Sequence, residues 1–338
     1  MPKPKHILVI RLSAMGDVAM SVPVLRAFTL QYPNIKLTVL TRDFFKPFFR
    51  DLENVTVFSP DLKGKHKGLL GLYKLSKTLK SLDIDQVADL HNVLRTKILK
   101  FFFFGKTFKQ IDKGRDEKKA LVEGRLFEQL KTTHERYAEV FRSLGYTITL
   151  SNPSFPKKQK LTESTQQLLG KDNKNWIGIA PFAQYASKMY SLDLLERVIA
   201  QLSKTHKIVL FGGGEKEIKI LNKIENKYKN VINLAGKCSL NQELNVISNL
   251  DVMLAMDSGN AHIAAMLGKK VITIWSVTHP FAGFKPFNQP ETFSLLANRS
   301  QFPLIPTSIY GNKFPENYKE ASRTIAPNTV IKKIESVL

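Results

Sequence analysis

Three short stretches carry side chains suited to catalysis or anion binding, and each follows an apolar run. In "LSAMGDVAMSVPVLRAF", residues 12–28, Asp17 stands directly after Gly16 and behind the run Ile7–Ile10. A carboxylate at a helix start has a plain reading as a cap, favoured by the unpaired N–H groups and the helix dipole, and that reading leaves open whether it does chemistry as well. In "DSGNAH", residues 257–262, the acid Asp257 is followed by the small residues Ser258, Gly259 and Asn260, which let a phosphate approach the free N–H groups of a helix. His262 then falls in the first turn, as a further donor or as a partly buried core histidine. In "APFAQYASKMYS", residues 180–191, Lys188 lies at a strand end as a compact charge for a diphosphate, against the plain alternative of a solvated lysine.

Other chemistries are missing their motifs. "SAMGDVAM" lacks the G-x-G-x-x-G spacing of a dinucleotide loop, and no Gly-Lys-Ser/Thr marks a P-loop. "DID", residues 83–85, has the spacing of a metal-binding D-x-D but precedes a predicted strand and reads as a solvated turn. No metal is expected.

The elements that must position these turns alternate. "HILVIRL", "KLTVLT" (36–41), "VTVF" (55–58) and "QVADL" (86–90) read as strands, and "GLLGLYKLSKTLKSL" as a helix with lysines on its outer side. Val18, Val22 and Leu25 share one face of the helix after the first strand. The pattern breaks at "SNPSFPKKQK", residues 151–160, the best linker in the chain, and restarts at "WIGIAPF" (176–182). There "SLDLLERVIAQLS" carries Leu195, Val198, Ile199 and Leu202 at helical spacing behind Ser191 as N-cap, and "KIVLFGGG" is a strand ending in glycines. Ser239 and Gln242 have capping-box spacing, and Gly268 sits where a helix should end. Strand–helix–strand order predicts parallel sheets, whose ligands collect beyond the carboxyl ends of the strands. Two Rossmann-like α/β domains facing each other across a cleft are expected.

Size and charge set the outer limits. At 338 residues the chain exceeds what one growing core accommodates. Cys238, the one cysteine, suits a reducing compartment, and neither a signal peptide nor a long apolar span is evident. The formal charge of +22, divided almost evenly between the halves, favours an anionic partner. No zinc-finger, homeodomain, basic-zipper or aromatic RNA-binding pattern supports nucleic acid. "KFFFFGK", residues 100–106, reads as core packing rather than a membrane contact. Residues 300–326 have no assignable role.

The stretches "ILVIRLSAMGDVAMSVPVLRAF", "DLHNVLRT" (89–96), "SKMYSLD", "VLFGGGEKE" and "DSGNAHIAAMLGKKVITIWSVTHP" together resemble the bacterial lipopolysaccharide heptosyltransferases, glycosyltransferase family 9. The resemblance implies a GT-B architecture: an acceptor-binding domain over residues 1–155, a nucleotide-sugar domain over 156–326, and a C-terminal helix, 327–338, packing back on the first domain. It implies an inverting, metal-independent transfer of heptose from a nucleotide diphosphate sugar, ADP-heptose, to the inner core of lipopolysaccharide. Asp17 then matches the general base, Lys188 the donor-binding lysine, and Asp257 and His262 donor contacts, within the helix start Ser258–His262. No separate cofactor is implied. A cytoplasmic protein touching the inner membrane peripherally and an anionic phosphorylated acceptor would account for the charge. The alternatives are another GT-B nucleotide-sugar enzyme such as an epimerase, or a non-enzymatic anionic-ligand-binding protein.

Overall fold

The computed structural model describes residues 5–338. The chain forms two compact units, one of residues 1–113 and 133–154, the other of 114–132 and 155–338. Each holds its own parallel sheet.

In the first unit, β1 (His6–Ile10), β2 (Lys36–Leu40), β3 (Val55–Phe58), β4 (Gln86–Asp89) and β5 (Thr107–Gln110) lie in the order β3-β2-β1-β4-β5. Three helices intervene: α1 (Met15–Gln31), α2 (Gly68–Lys80) and α3 (Leu94–Phe102). The run Ile7–Ile10 is fully buried, which is why this strand reads as continuously apolar rather than alternating. Helix α1 is buried on more than the single face expected, with Val18 through Leu25 all buried. The turn after β1 is made over residues 11–14, and Gly16 is already helical. The "DID" stretch is a turn, as read: Asp83 has positive φ and Asp85 accepts a hydrogen bond from the His6 N–H at 2.8 Å.

The boundary expected at residue 155 lies beside the observed break, but the intervening segment does not stay with the first domain. Helix α4 (Arg115–Val122) belongs to the second unit, and the chain returns to the first unit at α5 (Thr133–Ser143). Two contacts hold the excursion in the second unit. The Leu130 N–H donates to the Phe281 carbonyl at 2.9 Å, and Leu121 and Leu130 pack with Ala282. Mostly charged α4 gave no apolar stripe to reveal this.

The second unit continues with α6 (Glu163–Leu169), β6 (Trp176–Ala180), α7 (Leu192–Leu202), β7 (Lys207–Leu210), α8 (Glu215–Lys227) and β8 (Val231–Asn233). It ends with α9 (Leu240–Asn249), β9 (Val252–Met256), α10 (Gly259–Met266), β10 (Lys270–Trp275), β11 (Ser294–Leu296) and α11 (Pro327–Glu335). Its strands run in the order β11-β10-β9-β6-β7-β8. Ser239 caps α9 in a full capping box with Gln242, whereas Ser191 precedes α7 without a side-chain cap bond. Helix α11, implied to pack on the first domain, packs on α7, with Val330, Ile331 and Ile334 joining the core of the second unit.

In both sheets the chain fills one side of its first strand and then crosses to the other. The reversal falls between β1 and β4 in one unit and between β6 and β9 in the other. Such switch points leave a crevice beyond the strand ends, and they are the default ligand sites of open α/β sheets.

Candidate functional site

Each switch point carries one cluster of polar and charged side chains. Asp17 stands beyond β1, in the first turn of α1, whose N-cap residue is Ala14. Its Oδ2 accepts the Ala14 N–H at 3.3 Å and pairs with Arg11 Nη2 at 2.6 Å. The capping alternative is thus partly realised, from the N3 position rather than N-cap, and the carboxylate keeps 29% of its side-chain surface. Arg11 is buried and also donates through Nη1 to the Leu90 carbonyl at 2.7 Å, tying β1 to the end of β4. Burial disfavours the guanidinium charge, but Tyr137 and Asp17 more than offset it and hold its pKa above the usual arginine value.

The turn after β4 is built by Asp89, which is fully buried. Its Oδ1 accepts the N–H groups of His91 and Asn92, both at 2.9 Å, and its Oδ2 accepts Gln110 at 2.8 Å. Asn92 takes positive φ at this turn. His91 is pushed down to about 3, first by burial and then by the Arg11 and Lys113 charges, so its ring is neutral at physiological pH. Its buried Nδ1 has no hydrogen-bond partner among the described residues. Asp17, Arg11 and His91 together offer a proton acceptor, a fixed cation and a neutral imidazole beside one crevice.

At the other switch point, β6 leads into the 3-10 turn Ala186–Lys188 and β9 into α10. Lys188 Nζ meets Asp257 Oδ2 at 2.8 Å, and the Thr278 hydroxyl donates to the same oxygen at 2.9 Å. Both charged side chains are largely removed from water, at 13% and 8% exposure, so Lys188 is not the solvated lysine of the plain alternative. One carboxylate oxygen engages only one of the three ammonium hydrogens, which leaves donor capacity for an anion. Ser258 is the N-cap residue of α10 but makes no side-chain cap bond, and its buried Oγ has no partner among the described residues. Gly259 and Asn260 open the helix, and His262 is buried one turn in. A cation, free helix N–H groups and an unengaged hydroxyl converge where an anion can be held without reorganisation.

Sequence reasoning missed the support around these groups. Thr278 follows β10, a third strand end, and that position was its only signal. Residues 300–326, left without a role, hold the lysine: Ser187 Oγ donates to the Gly311 carbonyl, and a Cβ on Gly311 would stand 2.5 Å from Lys188 Cγ. The Tyr190 hydroxyl donates to the Ile325 carbonyl at 2.7 Å. A cavity of about 440 Å³ in the same unit is lined in part by Phe127, His279, Lys285, Glu291 and Arg299. His279 is pushed down to about 4 there, by burial and then by Arg299.

Two Rossmann-like α/β units, each with a parallel sheet that reverses at a switch point, are the architecture of a GT-B glycosyltransferase. The profile of glycosyltransferase family 9 (heptosyltransferase) matches residues 72–305, and the chain belongs to that family. The match begins after Asp17, so that residue stands on its geometry. The chain is 27% identical to the lipopolysaccharide core heptosyltransferase OpsX of Haemophilus influenzae, over 82% of this chain and 80% of that protein. It is 22% identical to lipooligosaccharide heptosyltransferase 2 of Campylobacter jejuni, over 96% of each. Similar solved structures include a family 9 glycosyltransferase from Veillonella parvula, with TM-score 0.76, 18% identity, and coverage of 100% of this chain and 98% of that one. Another is the E. coli heptosyltransferase WaaC with ADP, with TM-score 0.69, 18% identity, and coverage of 98% and 100%.

Proposed function

We propose that this glycosyltransferase moves heptose from ADP-heptose to the inner core of lipopolysaccharide, working from the cytoplasmic side on an acceptor held at the inner membrane. The carrying observation is the second switch point, where the buried Lys188–Asp257 pair lies beside an α10 start whose Ser258 hydroxyl is unengaged. Names of relatives add the sugar and the acceptor: a lipopolysaccharide core heptosyltransferase at 27% identity, and a heptosyltransferase solved with ADP.

The donor diphosphate takes the free ammonium hydrogens of Lys188, the first N–H groups of α10 and the Ser258 hydroxyl, with Asp257 and Thr278 fixing the lysine from behind. Asp17 accepts the proton of the acceptor hydroxyl as its oxygen attacks the anomeric carbon, and the bond to the diphosphate breaks in the same step. The anomeric centre inverts. Negative charge growing on the leaving diphosphate meets preorganised donors, so the chemistry is routed through no metal and no cofactor. Arg11 keeps Asp17 aimed, and the neutral His91 ring offers a hydrogen-bond partner to the acceptor.

A thermal-shift panel of ADP, UDP, GDP and NAD tests the donor assignment. A ligand at about a hundred times its Kd stabilises the folded state by roughly 2.7 kcal/mol. ADP alone should shift the wild type strongly, and Lys188→Ala should lose most of that shift. Equal shifts with all four nucleotides would sink the donor site, and a UDP preference would redirect it towards other nucleotide-sugar chemistry.

A further inference from the structure

The first unit carries an apolar face that its own fold leaves uncovered. The reading of "KFFFFGK" as core is correct for Phe103 and for the half-buried Phe102 packed against the same core, but not for Phe101 and Phe104, which are 78% and 94% exposed. Helical period explains the split. Leu99 and Phe103 point into the core, while Leu94, Lys97, Phe101 and Phe104 recur at three- and four-residue intervals on the outside.

Helix α2 extends the same surface. Leu72, Leu75 and Leu79 are buried, whereas Leu69, Tyr73, Lys77 and Lys80 are exposed at the same intervals and Leu70 is 77% exposed beside them. The helices touch through the Tyr73 and Phe102 rings, 5.5 Å apart and edge-on, so their outer faces adjoin. Isolated exposed leucines need no explanation, but large exposed side chains on two adjoining helices mark a contact surface.

The charge around the patch identifies what it contacts. Residues 62–82 contain six lysines and no acid, and residues 90–111 contain five basic residues with buried Asp89 lying just outside. These two stretches carry half of the net charge of +22. The loop bearing Lys63, Lys65 and Lys67 is pinned, because Asp61 accepts the Gly64 and Lys65 N–H groups at 2.8 and 2.9 Å and His66 is buried. Apolar tips on two helices that also carry exposed lysines match a lipid surface with anionic headgroups: the aromatic side chains enter the headgroup–acyl boundary while the ammonium groups stay at phosphate level. No helix among the described residues is long and apolar enough to cross a membrane.

We infer that the α2–α3 face, with Leu69, Leu70, Tyr73, Phe101 and Phe104 at its centre, docks the protein on an anionic membrane leaflet. This deepens the proposed function and rests on its lipid-borne acceptor. Helix α3 begins three residues after His91, and its nine residues span about 14 Å. The docking face is therefore one short helix away from the acceptor-side turn.

Co-sedimentation with phosphatidylethanolamine vesicles, with and without phosphatidylglycerol, tests the assignment. Wild type should bind the anionic vesicles, release at high salt, and ignore the purely zwitterionic ones. Phe101→Ser/Phe104→Ser should bind about tenfold more weakly, while its turnover of lipid-free core oligosaccharide stays at the wild-type level. Because both rings are exposed, the variant keeps its core. Phe101→Trp adds a local reporter whose emission should shift to the blue on anionic vesicles only. Equal vesicle binding by wild type and double variant overturns the inference, as does wild type remaining in the supernatant with every vesicle, the outcome expected if the face docks a protein. Heptose transfer to the soluble acceptor is read separately, so failure of docking and failure of the proposed reaction are distinguishable.

Discussion

Arg11 and Asp17 meet just beyond β1, guanidinium Nη2 to carboxylate Oδ2 at 2.6 Å, with the arginine buried and the acid still in reach of solvent. Burial on one side only makes the pair useful. The cation cannot leave, and the carboxylate stays directed at the crevice.

Replacing Arg11 by Met therefore removes more than a charge. It frees the Leu90 carbonyl and leaves Asp17 held only by the Ala14 N–H. Breaking a buried pair costs about 3–5 kcal/mol, but Asp17 is 29% exposed and its charge can rehydrate. A loss of about 1–3 kcal/mol is expected. Urea unfolding of the variant checks it, together with a lowered kcat.

Gly311 tests how Lys188, the lysine proposed to bind the donor, is held. Its φ of +74° already disfavours a side chain, and a Cβ would stand 2.5 Å from Lys188 Cγ and 2.7 Å from Cδ. Gly311→Ala should push the lysine off Asp257 and weaken ADP binding by about tenfold, with left-handed strain adding roughly 1 kcal/mol of instability. Lys188→Ala makes room for the methyl group. In a double-mutant cycle read by calorimetric titration of ADP, Gly311→Ala should then add almost nothing.

Much of this arrangement can be read in the sequence, and the residues show where reading stops. The strand runs "VTVF" and "WIGIA", the capping box at Ser239 and Gln242, and the turns bearing Asp17, Lys188 and Asp257 are local signals of three to six residues. Gly311 against Lys188 is a contact across more than a hundred residues, with nothing nearby to announce it. Arg11 looks like an interruption of an apolar run until the residue after β4, Leu90, supplies a carbonyl for it. "KFFFFGK" misleads because four adjacent aromatic residues have no period of their own. Only the helix decides which of them face out.

Glu243 gives the stability a pH dependence of defined sign. Burial pushes its carboxyl up to about 7 from the usual 4.5, so the folded chain keeps a proton that the unfolded chain releases. This group's contribution is present below about pH 4.5 and is lost as pH rises through about 7. Glu243→Gln should flatten that slope and stabilise the protein at pH 8 by about 1–3 kcal/mol. Thermal unfolding of both proteins at pH 5 and pH 8 reads the difference. Equal slopes would show that the folded carboxyl ionises normally.

The central claim is that Asp17 takes the acceptor proton, and Asp17→Asn measures it most directly, because the amide oxygen can still accept the Ala14 N–H. Single-turnover transfer from ADP-heptose to core acceptor should fall by about a hundred- to ten-thousandfold with ADP affinity close to wild type, while buried Arg11, losing its counter-charge, costs about 1–3 kcal/mol of stability. Transfer within a few-fold of wild type would contradict the account, leaving Asp17 as a helix cap tied to Arg11.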